Sequence, residues 1–157
     1  MNDTKRYVAG LIFDLSKYRI LLIKKNKPVW QAGYYNGIGG KIELGETPLE
    51  AIIREVKEEV NLNIKTWTNF AELKGIEPPR LPIENNPIAG NEWSVEWFYT
   101  FTNKIMSFEN LTEEKAEIFQ VKLLPKVITN INWLIPMALT FEKDRADKLI
   151  ITEIIGQ

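Results

Sequence analysis

The sequence contains no cysteine and no histidine. The first absence removes disulfides, thiol nucleophiles and thiolate metal sites. The second removes imidazole acid–base chemistry, the Ser-His-Asp triad and most zinc centres. Chemistry therefore falls to carboxylates, lysine, arginine, tyrosine or a bound hard cation. Oxygen-rich donor sets select Mg²⁺, Mn²⁺ or Ca²⁺, so an acidic cluster is the feature to seek. A strong excess of one charge is also lacking. A formal net charge of −1 gives no drive toward long nucleic acid or an anionic membrane surface. The apolar run Tyr7 to Phe13 is too short to span a membrane and lacks the flanks of a secretory signal, so it reads as a strand. These absences lead us to expect a cytoplasmic protein with a small-molecule partner, no long nucleic acid and no membrane, working as a monomer or homodimer.

What is present is ordinary for a globular chain: 157 residues, 45% hydrophobic and 26% charged. That length fits one domain, residues 1–157, able to bury about two thirds of its unfolded surface. There is no repeat and no low-complexity tract. Arg6 to Asp14 and Arg19 to Lys24 are β-rich runs parted by a short polar turn, which predicts a hairpin. Lys24 to Ile38, punctuated by Pro28, Gly33 and Gly37, reads as loop. Further strands are expected at Ile64 to Leu73, Glu92 to Thr102 and Ile118 to Leu123, where β-branched and aromatic residues concentrate. Gly75 to Asn91, rich in Pro, Asn and Gly, reads as a long functional loop rather than a domain boundary. Asn132 to Lys143 suggests a helix with Pro136 in its first turns, and Lys148 to Ile155 a last strand or helix end. Mixed strands with two helices point to an α/β layered sandwich.

The clearest local signal is Thr47-Pro48-Leu49-Glu50, which has the N-cap, N1 proline and N3 glutamate of a capping box. Leu49, Ile52, Ile53, Val56 and Val60 follow with helical spacing, so a helix runs from Pro48 to about Val60. On it Glu55 and Glu59 stack one turn apart, with Glu58 close by. Like charges at that spacing destabilise an isolated helix by a few tenths of a kcal/mol, and a divalent cation reverses the sign of that interaction. A solvated acidic face is the ordinary reading of such a run.

The flanking residues argue otherwise. The stretch GGKIELGETPLEAIIREVKEEVNL resembles the Nudix box, G-x5-E-x7-R-E-U-x-E-E-x-G-U with U aliphatic. Eight of its nine specified positions match, at Gly40, Glu46, Arg54, Glu55, Val56, Glu58, Glu59 and Leu62. Six of these are fixed identities, each with a chance of roughly 1 in 15, so coincidence is on the order of one in ten million per window. The departure is Asn61 where the family has Gly. Asn tolerates a left-handed C′ position best after Gly, so the turn survives at a cost below about 1 kcal/mol.

The resemblance implies a Nudix-type α/β/α sandwich with a mixed β-sheet and the catalytic loop-helix-loop. It further implies Mg²⁺ (or Mn²⁺) held by Glu55, Glu58 and Glu59, and Arg54 paired with Glu46. The family reaction is in-line attack of water on phosphorus in a nucleoside diphosphate derivative, with the metal as Lewis acid. Without histidine the general base is a carboxylate or metal hydroxide, and Glu59 is the first candidate. Three carboxylates can host a diphosphate only if divalent ions lie between them. Gly39 and Gly40, lacking side chains, let backbone approach a metal or phosphate closely, with Gly39 a further metal-site candidate. Glu113 or Glu114, just before a predicted strand, is a candidate extra ligand or base, with a plain surface role as the alternative.

The run Tyr35-Asn36-Gly37-Ile38-Gly39-Gly40-Lys41 is similar to that of the 8-oxo-dGTP diphosphatase type. It implies a purine nucleoside triphosphate, oxidised or not, cut to monophosphate and pyrophosphate. Asn36 becomes the candidate for purine contact, with Lys41 beside the phosphate-facing glycines; the alternative for Asn36 is turn formation before Gly37. Asn130-Ile131-Asn132-Trp133-Leu134-Ile135-Pro136 resembles a segment that carries acidic base-reading residues in that group. Here Asn130 and Asn132 stand instead, and an amide still offers donor and acceptor to a base edge. Trp30, Tyr34, Trp93, Trp97 and Trp133 are candidates for stacking on the base or for core packing. Two rival readings stay open. Pro78 lies near a proline position of ADP-ribose hydrolases, which keeps ADP-ribose or dinucleoside polyphosphate hydrolysis in play. A catalytically silent nucleotide sensor is the other, although sensors commonly lose box carboxylates that this chain keeps.

Overall fold

The predicted hairpin forms in the computed structural model, which describes residues 4–76, 91–142 and 147–153. Strands β1 (Lys5–Phe13) and β2 (Arg19–Lys24) pair antiparallel. Asp14 closes their turn by accepting from the N–H groups of Tyr18 and Arg19 at 2.9 and 3.0 Å. The stretch expected to be loop holds more structure than its punctuation suggested. It contains a 3₁₀ turn at Val29–Gln31, the short β3 (Tyr35–Asn36) and the start of β4 (Ile38–Lys41). Gly39 and Gly40 lie in β4 opposite Ala9 and Val8 of β1. A Cβ on Gly39 would collide with the Val8 carbonyl and sit 2.7 Å from the Ala9 Cα, so only glycine allows this approach.

Helix α1 (Pro48–Val60) has the capping box read from its sequence. The Thr47 hydroxyl accepts from the Glu50 N–H at 3.2 Å, and Glu50 accepts from the Thr47 N–H at 2.8 Å. It ends at Asn61, which is left-handed at φ 55°, as the C′ argument required. Of the expected apolar stripe, Ile52, Val56 and Val60 are buried, whereas Leu49 is exposed and Ala51 is buried instead. Each fully buried Ile or Val contributes roughly 1.5–3 kcal/mol.

Strand β5 (Thr68–Ile76) starts later than its β-rich composition implied, and just ahead of it the Trp67 indole N–H donates to the Ile64 carbonyl at 2.9 Å. Strands β6 (Glu92–Phe101) and β7 (Ala116–Gln120) follow, then α2 (Ile131–Thr140) and β8 (Leu149–Glu153). Helix α2 is shorter than expected and carries Pro136 in its middle. Phe141 leaves the helix and packs edge-on against Phe70 and Tyr99, with ring centres 6.4 and 6.3 Å away. The last segment resolves as strand. Residues 77–90, which hold Pro78 and most of the expected long loop, lie outside the described residues.

The eight strands of the described residues join one mixed sheet in the order β3-β2-β1-β6-β5-β8, with β4 on β1 and β7 on β2. The β1–β6 and β5–β8 pairs are parallel. Strand alternation sends Val8, Ile12, Leu21, Ile23 and Phe98 to a core under α1. It sends Ala9, Leu11, Phe13, Leu22 and Trp97 to a second core under α2. The result is the α/β/α sandwich that the resemblance implied. Among the described residues no helix is long and apolar enough to cross a membrane.

Candidate active site

Arg54 organises the loop before α1 against the helix. Its Nε and Nη2 donate to the two Glu46 carboxylate oxygens at 2.8 and 2.9 Å, a bidentate fork. Nη2 also reaches the Lys41 carbonyl at 3.0 Å, and Nη1 reaches Glu55 at 2.7 Å and Glu58 at 3.3 Å. The hydrogen bonds from Arg54 hold the Glu46 carboxyl below its usual range against a desolvation push the other way. The Lys41 side chain is exposed, so its link to the site runs through its backbone carbonyl.

Glu59 sits deeper. Among the described residues its Oε2 is buried with no hydrogen-bond partner, while the Gly39 N–H supports the carboxylate. Burial, with Glu55 and Glu114 adding repulsion against the pull of Lys25, pushes its pKa up to about 7. Burial also raises Glu55, opposed by Arg54. Gly40 faces Glu55 so closely that any Cβ there would collide with its carboxyl group. Glu58 is more than half exposed. Among the described residues no three carboxylates are already gathered into a cation cage, as expected where Arg54 draws Glu55 and Glu58 to itself. The donor set nevertheless fits a hard divalent cation. It offers only oxygen, one buried carboxylate oxygen lacks a partner, and a glycine backbone leaves room beside it.

Of the paired acidic residues ahead of β7, Glu113 is exposed and Glu114 is buried. The inward position is therefore Glu114, while Glu113 lies at the surface, the alternative role considered for it. Glu114 meets Lys25, with Nζ 2.5 Å from Oε2. Sequence reading missed Lys25. It lies just past the end of β2, and its only signal was a second lysine in a run that reads as solvent-facing.

A cleft of about 800 Å³ opens beside Gly39 and Gly40 on the α2 side of the sheet. Lys25, Trp30, Asn36, Trp93, Trp97, Asn130 and Trp133 line it. Tyr34 does not; its ring carries Lys126 Nζ at 4.1 Å. Asn132 is exposed. Asn36 does part of the turn-forming work considered for it, since its Oδ1 accepts from the Gly37 N–H at 2.8 Å. Its Nδ2 makes only a long bond to Gln31 at 3.4 Å. Among the described residues the Asn130 Oδ1 and the Trp97 Nε1, an acceptor and a donor of two cleft-lining residues, are buried without partners.

A profile of the NUDIX domain matches residues 4–146. The chain belongs to that family, with its box carboxylates in place. Over 42 residues it is 45% identical to the 8-oxo-dGTP diphosphatase of Escherichia coli (strain K12). That match spans 27% of this chain and 33% of the relative's length. The mutator MutT protein of Bacillus halodurans superposes with a TM-score of 0.64 at 23% identity, covering 96% of this chain and 89% of that one. The MutT NUDIX hydrolase of Burkholderia pseudomallei gives a TM-score of 0.65 at 19% identity, covering 88% and 99%. At those identities the two structures establish the shared fold.

Proposed function

We propose that this protein hydrolyses a pyrophosphate linkage in a purine nucleoside triphosphate, oxidised or not, releasing the monophosphate and pyrophosphate. The observation that carries the reading is Glu59: a carboxylate oxygen of the box helix buried without a partner among the described residues, supported by the Gly39 N–H, with Gly39 itself on the wall of the aromatic cleft. Glu55, Glu58 and Glu59, with Gly39 alongside, are the residues that would hold Mg²⁺ or Mn²⁺. A bound divalent ion would neutralise the polyphosphate and lower the pKa of a water. The protein's own part is positioning and proton transfer. Arg54 and Glu46 fix the loop, the cleft takes the base, and Glu59 accepts the proton of the attacking water. As the water oxygen bonds to phosphorus, the bond from phosphorus to the bridging oxygen breaks and pyrophosphate carries away the electron pair.

The purine assignment rests on Asn36 and Asn130 in the cleft, both with amide atoms not fully used by the fold. The partial similarity to an 8-oxo-dGTP diphosphatase supports it. The test is a nucleotide panel with Mg²⁺ that scores monophosphate and pyrophosphate separately and includes dGTP beside 8-oxo-dGTP. Pyrophosphate from purine triphosphates is the expected product. Two monophosphates from ADP-ribose would transfer the assignment to that rival, and binding without turnover of any nucleotide would make the protein a sensor.

A further inference from the structure

Lys25, Lys27, Trp30 and Gln31 all face the cleft from one lip, residues 25–34. The lip closes on itself, with the Lys25 N–H donating to the Tyr34 carbonyl at 2.9 Å and the Gly33 N–H to the Lys25 carbonyl at 2.8 Å. Within that closed segment, the side of the lip that leaves β2 hangs from one distant side chain. Glu114 Oε1 accepts from the Asn26 N–H at 2.8 Å and the Lys27 N–H at 3.4 Å, and its Oε2 accepts from Lys25 Nζ at 2.5 Å. A backbone bond from the Lys24 N–H to the Lys115 carbonyl, 2.8 Å, runs alongside.

We propose that Glu114 is a positioning residue that holds this lip over the cleft, and that it is not a ligand of the catalytic cation. Its two oxygens accept three bonds from the lip, two on Oε1 and one on Oε2, out of about four acceptor sites a carboxylate has. Turning it toward Glu59 would leave a partly buried ammonium and two backbone donors without their acceptor, and a cation supplies no acceptor to replace it. A carboxylate from the chain ahead of β7, close enough to repel Glu59, thereby sets where Trp30 and Lys27 stand. This inference rests on the proposed function for the identity of what the cleft binds, but the geometry of the anchor does not depend on it.

The test uses the full chain with Glu114→Ala and Glu114→Gln. Hydrogen–deuterium exchange should show residues 25–34 losing protection about tenfold in Glu114→Ala, with α1 unchanged, because a buried acceptor has gone. The dissociation constant of a non-hydrolysable purine nucleoside triphosphate analogue should rise by about the same factor. Glu114→Gln keeps one acceptor and should fall between wild type and Ala in both readouts. Mn²⁺ affinity, titrated without nucleotide, should stay within about twofold of wild type for both variants, since no ligand of the ion is lost. A tenfold weaker Mn²⁺ affinity, or an unchanged exchange pattern in the lip, would overturn the proposal. If wild type bound neither the analogue nor Mn²⁺, the functional reading would fall, while lip exchange would still decide the anchor.

Discussion

The two ends of the cleft are built by opposite rules. At the box end the polar groups come from one contiguous stretch, Gly39 to Glu59, and one arginine serves Glu46, Glu55, Glu58 and a backbone carbonyl, leaving Glu59 Oε2 without a partner among the described residues. At the aromatic end, side chains from the lip, β3, β6 and α2 converge, and two buried polar atoms, Asn130 Oδ1 and Trp97 Nε1, have no partner. An unpaired buried group costs the fold roughly 1–3 kcal/mol, so a ligand that supplies the missing partner gains what the free protein forgoes. Under the proposed function, the box end would work on the polyphosphate and the aromatic end would choose among the groups attached to it.

That contrast can be broken experimentally, first at Glu59. Glu59→Gln keeps shape but removes the charge that holds a cation and accepts a proton, so turnover should fall by about 10²–10⁴-fold on every substrate. A variant retaining more than about a tenth of wild-type activity in steady-state assays would show that the box end does not act through this residue.

The aromatic end should discriminate where the box end does not. Asn130→Ala removes a buried acceptor that has no partner in the free protein, so denaturant unfolding should show no loss of stability. At the same time kcat/KM for purine triphosphates should drop by about 1–3 kcal/mol, roughly 5- to 150-fold, with pyrimidine triphosphates far less affected. Asn36→Ala should show the same preference more weakly, because its Oδ1 is already given to the Gly37 N–H. Equal losses on both substrate classes would mean that these amides only shape the wall.

Asn61→Gly marks the smallest expected effect. Both residues accept the left-handed backbone at the end of α1, and Asn61 also accepts from Lys57 Nζ at 2.5 Å on the surface. Stability should shift by less than about 1 kcal/mol and turnover should be unchanged. A large gain in activity would show the box to be impaired as it stands.

The same division explains what could be read from the sequence. The capping box, the helix from Pro48 to Val60 and the left-handed Asn61 are set by spacings of a few residues, where helical geometry alone places groups together, whereas the Arg54–Glu46 pair joins helix to loop and was implied only by the family resemblance. Asn36 and Asn130 were reachable through a resemblance in short flanking runs. Lys25 and the choice of Glu114 over Glu113 were not, because they depend on which way a chain turns on leaving a strand and on a contact spanning 89 positions. The strand at Gly39-Gly40 was obscured for a related reason: glycine has no strand propensity of its own, and only the proximity of β1 makes it necessary there.

The most direct measurement is thermal stability against pH, with EDTA and with Mg²⁺. Glu59 has its pKa raised from 4.5 to about 7 in the metal-free fold, so the folded state keeps a proton that the unfolded chain releases. Stability from this group is therefore full below pH 4.5 and is lost as pH rises to about 7, a total of about 3 kcal/mol. In EDTA the melting temperature of wild type should fall across that window by about 6–12 °C relative to Glu59→Gln, and saturating Mg²⁺ at pH 7.5 should restore wild type but not the variant. A wild-type profile in EDTA that parallels Glu59→Gln, together with no stabilisation by Mg²⁺, would contradict a cation site built on this buried carboxylate.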